Sequence, residues 1–179
     1  MFLDQTWPNR EMVIVDDLDD RSFDNPPDYP GVRYFVLETR LTIGEKRNVA
    51  VSHSIGGIIC HWDSDDVYRR DRIEHQVMAL HCSDADIVGY AGVVFESESG
   101  ERQMYTADRP LGASLCYWKR VWQQRGFPAK QTGEEYPFLG GRRVSVLQAE
   151  GRMTVRTHAG NTSPRNTNAP NWKHLPAIA

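Results

Sequence analysis

The chain has 179 residues, enough for one domain with its own core, and its composition is that of an ordinary globular protein: 40% hydrophobic and 25% charged. A net charge of −3 excludes the basic footprint of a nucleic-acid binder and the polybasic face of a membrane-surface protein. The longest apolar runs are too short to span a bilayer, and "MFLDQTWPNREM" lacks the basic start and long apolar stretch of a signal peptide.

In chain order, "EMVIVDD" (11–17) is a β-branched run ending in acid and reads as a buried parallel strand. The Asp-, Pro- and Gly-rich stretch 18–31 reads as loop, and "VRYFVLE" (32–38) as a second strand. "TIGEKRNVAVSHS" (42–54) becomes helical after Gly44. "GGIICHW" (56–62) is a third strand. The clearest helix is 69–83, where Ile73, Val77 and Leu80 share one face while Arg69, Arg70, Arg72 and Glu74 fall mostly elsewhere. Residues 85–97 are strand material, and 100–106 pairs back onto them as a hairpin. "ASLCYWKRVWQQRG" (113–126) starts as strand and turns helical, stopping at Gly126 and Pro128. Late strands follow at 142–148 and 152–158. From Gly160 the chain is polar and reads as loop, with Trp172 as an anchor. Cys60, Cys82 and Cys116 have neither a disulfide framework nor a CxxC spacing and read as reduced, mostly buried thiols. A cytoplasmic setting is expected.

Strands alternating with helices predict an α/β fold with a mainly parallel central sheet flanked by helices. Ligands of such sheets sit beyond the carboxyl ends of the strands. That rule gathers Asp16, Asp17, Asp63, Asp65 and Asp66 on one rim. Side chains at i and i+2 of a strand share a face, so Asp63 and Asp65 of "HWDSDD" are expected to point the same way. Hard cations such as Mg²⁺ and Mn²⁺ take one or two protein carboxylates and complete their shell with phosphate and water. The alternative is that Asp65 or Asp66 caps the next helix and Asp63 is solvated. An EF-hand loop fits poorly, because Tyr68 stands where the loop requires its glycine.

Three further stretches bear on chemistry. Lys46 and Arg47 follow Gly44 at a helix start, an arrangement that suits an anion, although a solvated charged face reads equally well. Glu134 and Glu135 lie between a glycine and an aromatic, where a carboxylate can serve as general base or simply complement a helix dipole. His158 closes a strand, a place where histidine is more often structural. An unrelated Mg²⁺-dependent phosphoryl-transfer enzyme that uses the same rim is disfavoured, since no GxxxxGK[ST] occurs.

Taken in order, "MVIVDD", "RLTIGEKRN", "GGIICHWDSDDVYRRDRIEHQV", "GASLCYWKRVW", "TGEEYPFL" and "THAGNTS" resemble glycosyltransferase family 2, of the Rossmann-like GT-A fold, over roughly residues 1 to 165. The resemblance implies one GT-A-like domain over 1–160 with a polar tail at 161–179. It implies inverting transfer of a sugar from a nucleotide-diphosphate donor to an acceptor hydroxyl on a glycan, lipid or protein. By the same resemblance Asp17 contacts the nucleotide base, and Lys46, Arg47 and Asn48 lie near the nucleotide. Asp63 sits near the ribose or metal, Asp65 is the principal ligand of Mn²⁺ or Mg²⁺, and His158 assists the metal or diphosphate. Glu135 stands at the catalytic base, with Glu134 just before it, and "GASLCYW" lines the acceptor side.

The chain departs from the pattern in two places. Gly133-Glu134-Glu135 stands where the family usually has Gly-Glu-Asp. "MFLDQTWPN" resembles the end of the family's first helix, so an N-terminally truncated fold is expected, lacking one strand and most of one helix. An oligomer that completes the sheet, or an inactive relative acting as a metal- or nucleotide-binding or interaction module, is the alternative reading.

Overall fold

The computed structural model describes residues 1–17, 27–159 and 170–176. Most of the expected loop 18–31 lies outside them. The chain forms two compact units, one of Met1–Trp7, Cys60–Tyr117 and Arg142–Ala179, the other of Pro8–Ile59 and Trp118–Gly141.

In the second unit, β1 (Met12–Asp17) pairs parallel to β2 (Val32–Leu37). Helix α1 (Ile43–His53) begins at a capping box: Thr42 Oγ1 accepts the Glu45 amide while Glu45 takes the Thr42 amide in return. Gly44 in its first turn donates its amide to the Lys130 carbonyl at 3.1 Å. A Cβ at Gly44 would lie 1.9 Å from the Pro128 carbonyl oxygen, so no other residue fits there. Packing therefore explains the glycine without any anion. Helices α3 (Lys119–Gln124) and α4 (Glu135–Leu139) complete the unit, with Phe127 stacked on Phe138 at 4.0 Å. Glu11 ties the start of β1 to the chain after α1, accepting the Ile55 and Gly56 amides at 2.6 and 2.7 Å.

The first unit holds β4 (Val67–Tyr68), α2 (Arg72–His81), β5 (Ile87–Ala91), β6 (Val93–Ser97), β7 (Arg102–Tyr105), β9 (Val144–Gln148), β10 (Met153–Thr157) and β11 (Trp172–His174). The strands β3 (Ile58–Cys60) and β8 (Cys116–Trp118) carry the chain from one unit into the other. One sheet has the order β3-β8-β5-β9 and another β11-β7-β6-β10-β4. Every residue of β5 is buried, which accounts for its unbroken apolar sequence. A second core gathers Tyr68, Tyr90, Val93, Phe95, Met153 and Val155. Each such side chain contributes about 1.5–3 kcal/mol on burial.

The α/β class expected from the alternating pattern is the one observed, with pairing more mixed than alternation suggests. Parallel pairs are β1–β2, β5–β9 and β6–β10; β5–β8, β6–β7, β7–β11 and β4–β10 are antiparallel. The β6–β7 hairpin explains part of this, because a short turn joins only antiparallel strands.

Other expectations are corrected. The run 85–97 is not one strand: Gly92, at φ +64°, breaks it and sends its halves into different sheets. Residues 1–9 form turns rather than a helix end, and buried Gln5 takes the Ile73 amide at 3.1 Å and donates to the Arg69 carbonyl at 2.8 Å. Arg72, assigned to the polar side of its helix, is fully buried. The tail contains β11, where Trp172 meets Phe95 edge-on at 4.7 Å, so the anchor is a strand.

Candidate active site

The acidic loop belongs to the first unit. Strand β3 stops at Cys60, and Asp63, Asp65 and Asp66 lie beyond it in a turn. The side-chain alternation of a strand therefore does not orient Asp63 and Asp65. Asp63 is half-buried, Asp65 exposed and Asp66 buried. The loop is held by Tyr68, whose hydroxyl accepts the Asp63 amide at 2.9 Å and lies 3.4 Å from Asp66 Oδ2. Asp66 Oδ1 accepts the Arg156 amide at 3.2 Å, which fixes the turn to β10.

Burial, with the charges of Asp63 and Asp65 added, pushes the Asp66 carboxyl up to about 7. Burial is the larger cause, and the two neighbouring carboxylates add to it. Tyr68 did not stand among the expected site residues, and Asp66 stood there only as one acid of the rim, with a helix cap as its alternative. The signal available was the aromatic two positions after the acid, but burial of the acid is a tertiary fact.

Asp65 meets His158: Oδ2 and Nε2 are 2.9 Å apart, between residues 93 positions apart in sequence. Both side chains stay more than a third exposed, at 39% and 35%. Among the described residues no three His, Cys, Asp or Glu side chains converge closely enough to hold a metal by themselves. Of the expected trio Asp63, Asp65 and His158, the close pair is therefore Asp65 with His158. A carboxylate and an imidazole, both open to solvent, fit a Mn²⁺ or Mg²⁺ ion that takes its remaining ligands from phosphate and water.

The groups expected near the nucleotide lie in the second unit. Asp17, buried at the end of β1, accepts the Leu41 amide at 3.3 Å and pairs with Lys46. Arg47 pairs with Glu134 and lies 5.7 Å from the centre of the Phe127 ring. Burial raises the Glu134 pKa, Arg47 opposes the rise and Glu135 adds to it. Asn48 spends its amide on the protein: Nδ2 donates to the Phe127 carbonyl at 2.8 Å, while Oδ1 accepts the Trp122 indole at 2.8 Å and the Phe127 amide at 2.9 Å. Glu135 opens α4, half-exposed, and its carboxylate has no hydrogen-bond or ion-pair partner among the described residues. The two neighbouring glutamates are therefore unlike: Glu134 is locked and Glu135 is available.

"GASLCYW" does not present an open surface. Ser114, Leu115, Cys116 and Tyr117 are all fully buried, and Ser114 Oγ accepts the Tyr90 amide at 2.7 Å.

The mixed α/β fold is shared with solved GT-A glycosyltransferases. S. aureus TarS 1–349 in complex with UDP superposes with a TM-score of 0.67 at 18% identity, covering 87% of this chain and 54% of that one. The same protein with UDP-GlcNAc gives 0.65 at 16%, covering 90% and 54%. Mannosyltransferase PcManGT from Pyrobaculum calidifontis, in complex with GDP-Man and Mn²⁺, gives 0.63 at 16%, covering 86% and 50%. The chain thus spans about half the length of the solved structures it matches. The family model for Glycosyl transferase family 2 matches residues 2–147, and the chain belongs to that family. Comparison with curated proteins found no match.

Proposed function

We propose that the chain is an inverting glycosyltransferase, moving a sugar from a nucleotide-diphosphate donor to the hydroxyl of a glycan, lipid or protein. The observation that carries the reading is the contact of Asp65 with His158, the two residues most directly assigned to the metal, at 2.9 Å. Asp65 and His158, with Asp63 beside them, would hold Mn²⁺ or Mg²⁺. Bound there, such a cation supplies positive charge to the departing diphosphate.

The rest of the chemistry falls to the protein's own groups. Asp17 would accept hydrogen bonds from the nucleotide base. Lys46 and Arg47 would exchange their present carboxylate partners for the donor's negative charge. Asn48 holds the 122–127 segment against α1 and so keeps the bearing of Arg47 and Phe127 constant. Glu135 would take the proton of the acceptor hydroxyl as its oxygen attacks the anomeric carbon from the side opposite the leaving group, which inverts that centre. Glu134 keeps Arg47 in place and is a positioning residue. The proposal includes a cytoplasmic setting; no described helix is long and apolar enough to cross a membrane.

Calorimetric titration of UDP and GDP into the chain, with and without Mn²⁺, tests the reading. Micromolar binding that requires Mn²⁺ supports it, and absence of binding to both nucleotides overturns it.

A second reading has an observation of its own. Lys46 and Arg47 are both engaged by carboxylates of this chain, and β1–β2 form a separate two-stranded sheet. A relative that acts as a binding or interaction module, or completes its sheet by oligomerising, would look the same. Light scattering at rising concentration distinguishes it: self-association without nucleotide binding favours the module.

A further inference from the structure

Two of the three cysteines meet although 56 positions separate them: Cys60 Sγ and Cys116 Sγ are 3.1 Å apart. Both belong to the first unit, Cys60 closing β3 and Cys116 opening β8. Cys116 is fully buried, Cys60 half-buried, and Cys82 exposed and apart from them. A disulfide needs about 2.05 Å between sulfurs, so a shift of about 1 Å closes the gap.

The charge around the pair is unusual. Arg72 is completely buried, its Nε donates to Gln76 Oε1 at 3.1 Å, and its Nη1 and Nη2 have no hydrogen-bond partner. Its guanidinium lies 4.4 Å from the Tyr68 ring centre and 5.2 Å from that of Trp62, with no carboxylate paired to it among the described residues. A buried, uncompensated cation favours negative charge nearby. The hydrogen bond with Cys116 holds the Cys60 thiol below its ordinary range against burial, and Arg72 acts in the same direction. Burial pushes the Cys116 thiol up. The thiol of the half-buried residue, Cys60, is thus the more acidic, and that of the fully buried Cys116 the less acidic. That is the division between an attacking and a resolving cysteine.

We propose that Cys60 and Cys116 form a redox-active dithiol that closes to an intramolecular disulfide by exchange with a low-molecular-weight disulfide such as oxidised glutathione. The Cys60 thiolate attacks one sulfur of the small disulfide; a mixed disulfide forms and one small thiolate leaves, taking up the proton Cys60 gave to solvent. The Cys116 thiolate then attacks the Cys60 sulfur, and the second small thiolate leaves and takes up the proton of Cys116. Two protein thiols are oxidised and one small disulfide is reduced to two thiols. The product clamps β3 to β8 three residues before Asp63.

The test uses the full chain carrying Cys82→Ser, which removes the exposed thiol. It is incubated natively in glutathione redox buffers, quenched, alkylated under denaturing conditions and mapped by mass spectrometry. Expected are loss of both alkylatable thiols, a mass lower by two hydrogens, a cross-linked pair of peptides holding Cys60 and Cys116, and recovery of both thiols with dithiothreitol. In the chain that also carries Cys116→Ser, glutathione is expected to remain on Cys60. The proposal is overturned if both thiols stay alkylatable in buffers that oxidise a reference dithiol. It is also overturned if the Cys82→Ser chain stops at glutathione on Cys60, or if the cross-link appears only after unfolding.

Discussion

The carboxylate of Asp65 lies 2.9 Å from the imidazole of His158, and neither is buried. An exposed pair of this kind adds little to stability, about 0–1 kcal/mol. Its removal should therefore be read in ligand binding rather than in folding. Asp65→Asn is expected to abolish the Mn²⁺ dependence of UDP or GDP binding and to change stability by no more than about 0.5 kcal/mol. Calorimetry and a urea melt on the same sample separate the two effects. Binding that remains Mn²⁺-dependent would remove Asp65 from the metal site.

Glu135 and Glu134 are adjacent, and only Glu134 is committed to an ion pair. Glu135→Gln is expected to lower turnover of a nucleotide-sugar donor by about 10²–10⁴-fold, the usual contribution of a positioned general base. Donor affinity should hardly change. Loss of affinity in parallel with turnover would mean that Glu135 shapes the site rather than accepting a proton.

The elements that were legible in the sequence are those with a local signal. Strands β1 and β2 announce themselves by β-branched runs, α2 by Ile73, Val77 and Leu80, and the β6–β7 hairpin by its turn. The link between Asp65 and His158 came from an ordered set of motifs, since no local rule joins residues so far apart. What stayed illegible depends on the third dimension. Arg72 sits on the polar side of α2 by pattern, yet it is buried beneath Trp62 and Tyr68. Asp66 looks like any loop acid until its burial is known. Gly92 is one glycine among 14, and only its positive φ marks it as the point where one strand becomes two.

The Arg47–Glu134 pair is mostly hidden from water, with side-chain exposures of 15% and 6%. Breaking such a pair leaves one buried charge uncompensated, at a cost of about 3–5 kcal/mol. Arg47→Met alone is expected to cost that much, because burial already raises the Glu134 pKa and Arg47 opposes that rise more than the backbone hydrogen bond does. Combined with Glu134→Gln, the same change should cost clearly less than the two single variants together. A double-mutant cycle by urea unfolding measures the difference. Strict additivity would show that each side chain acts alone.

Glu11 contributes to the pH dependence of the second unit. Burial by itself would raise its pKa, but the Gly56 and Ile55 amides and the Arg33 guanidinium outweigh burial and hold it below its ordinary value of 4.5. A carboxyl depressed in the folded state stabilises fully above its unfolded pKa, and that stabilisation is lost as pH falls through the folded value. Glu11→Gln removes the charge but leaves an amide oxygen to accept one or two of the same donors. It should therefore cost about 1–3 kcal/mol at pH 7. The deficit should shrink well below pH 4.5, where the native glutamate is itself becoming protonated. Urea midpoints of both chains at neutral and at acid pH measure this. A gap of equal size at both would show that the side chain's shape, and not its charge, joins β1 to the end of α1.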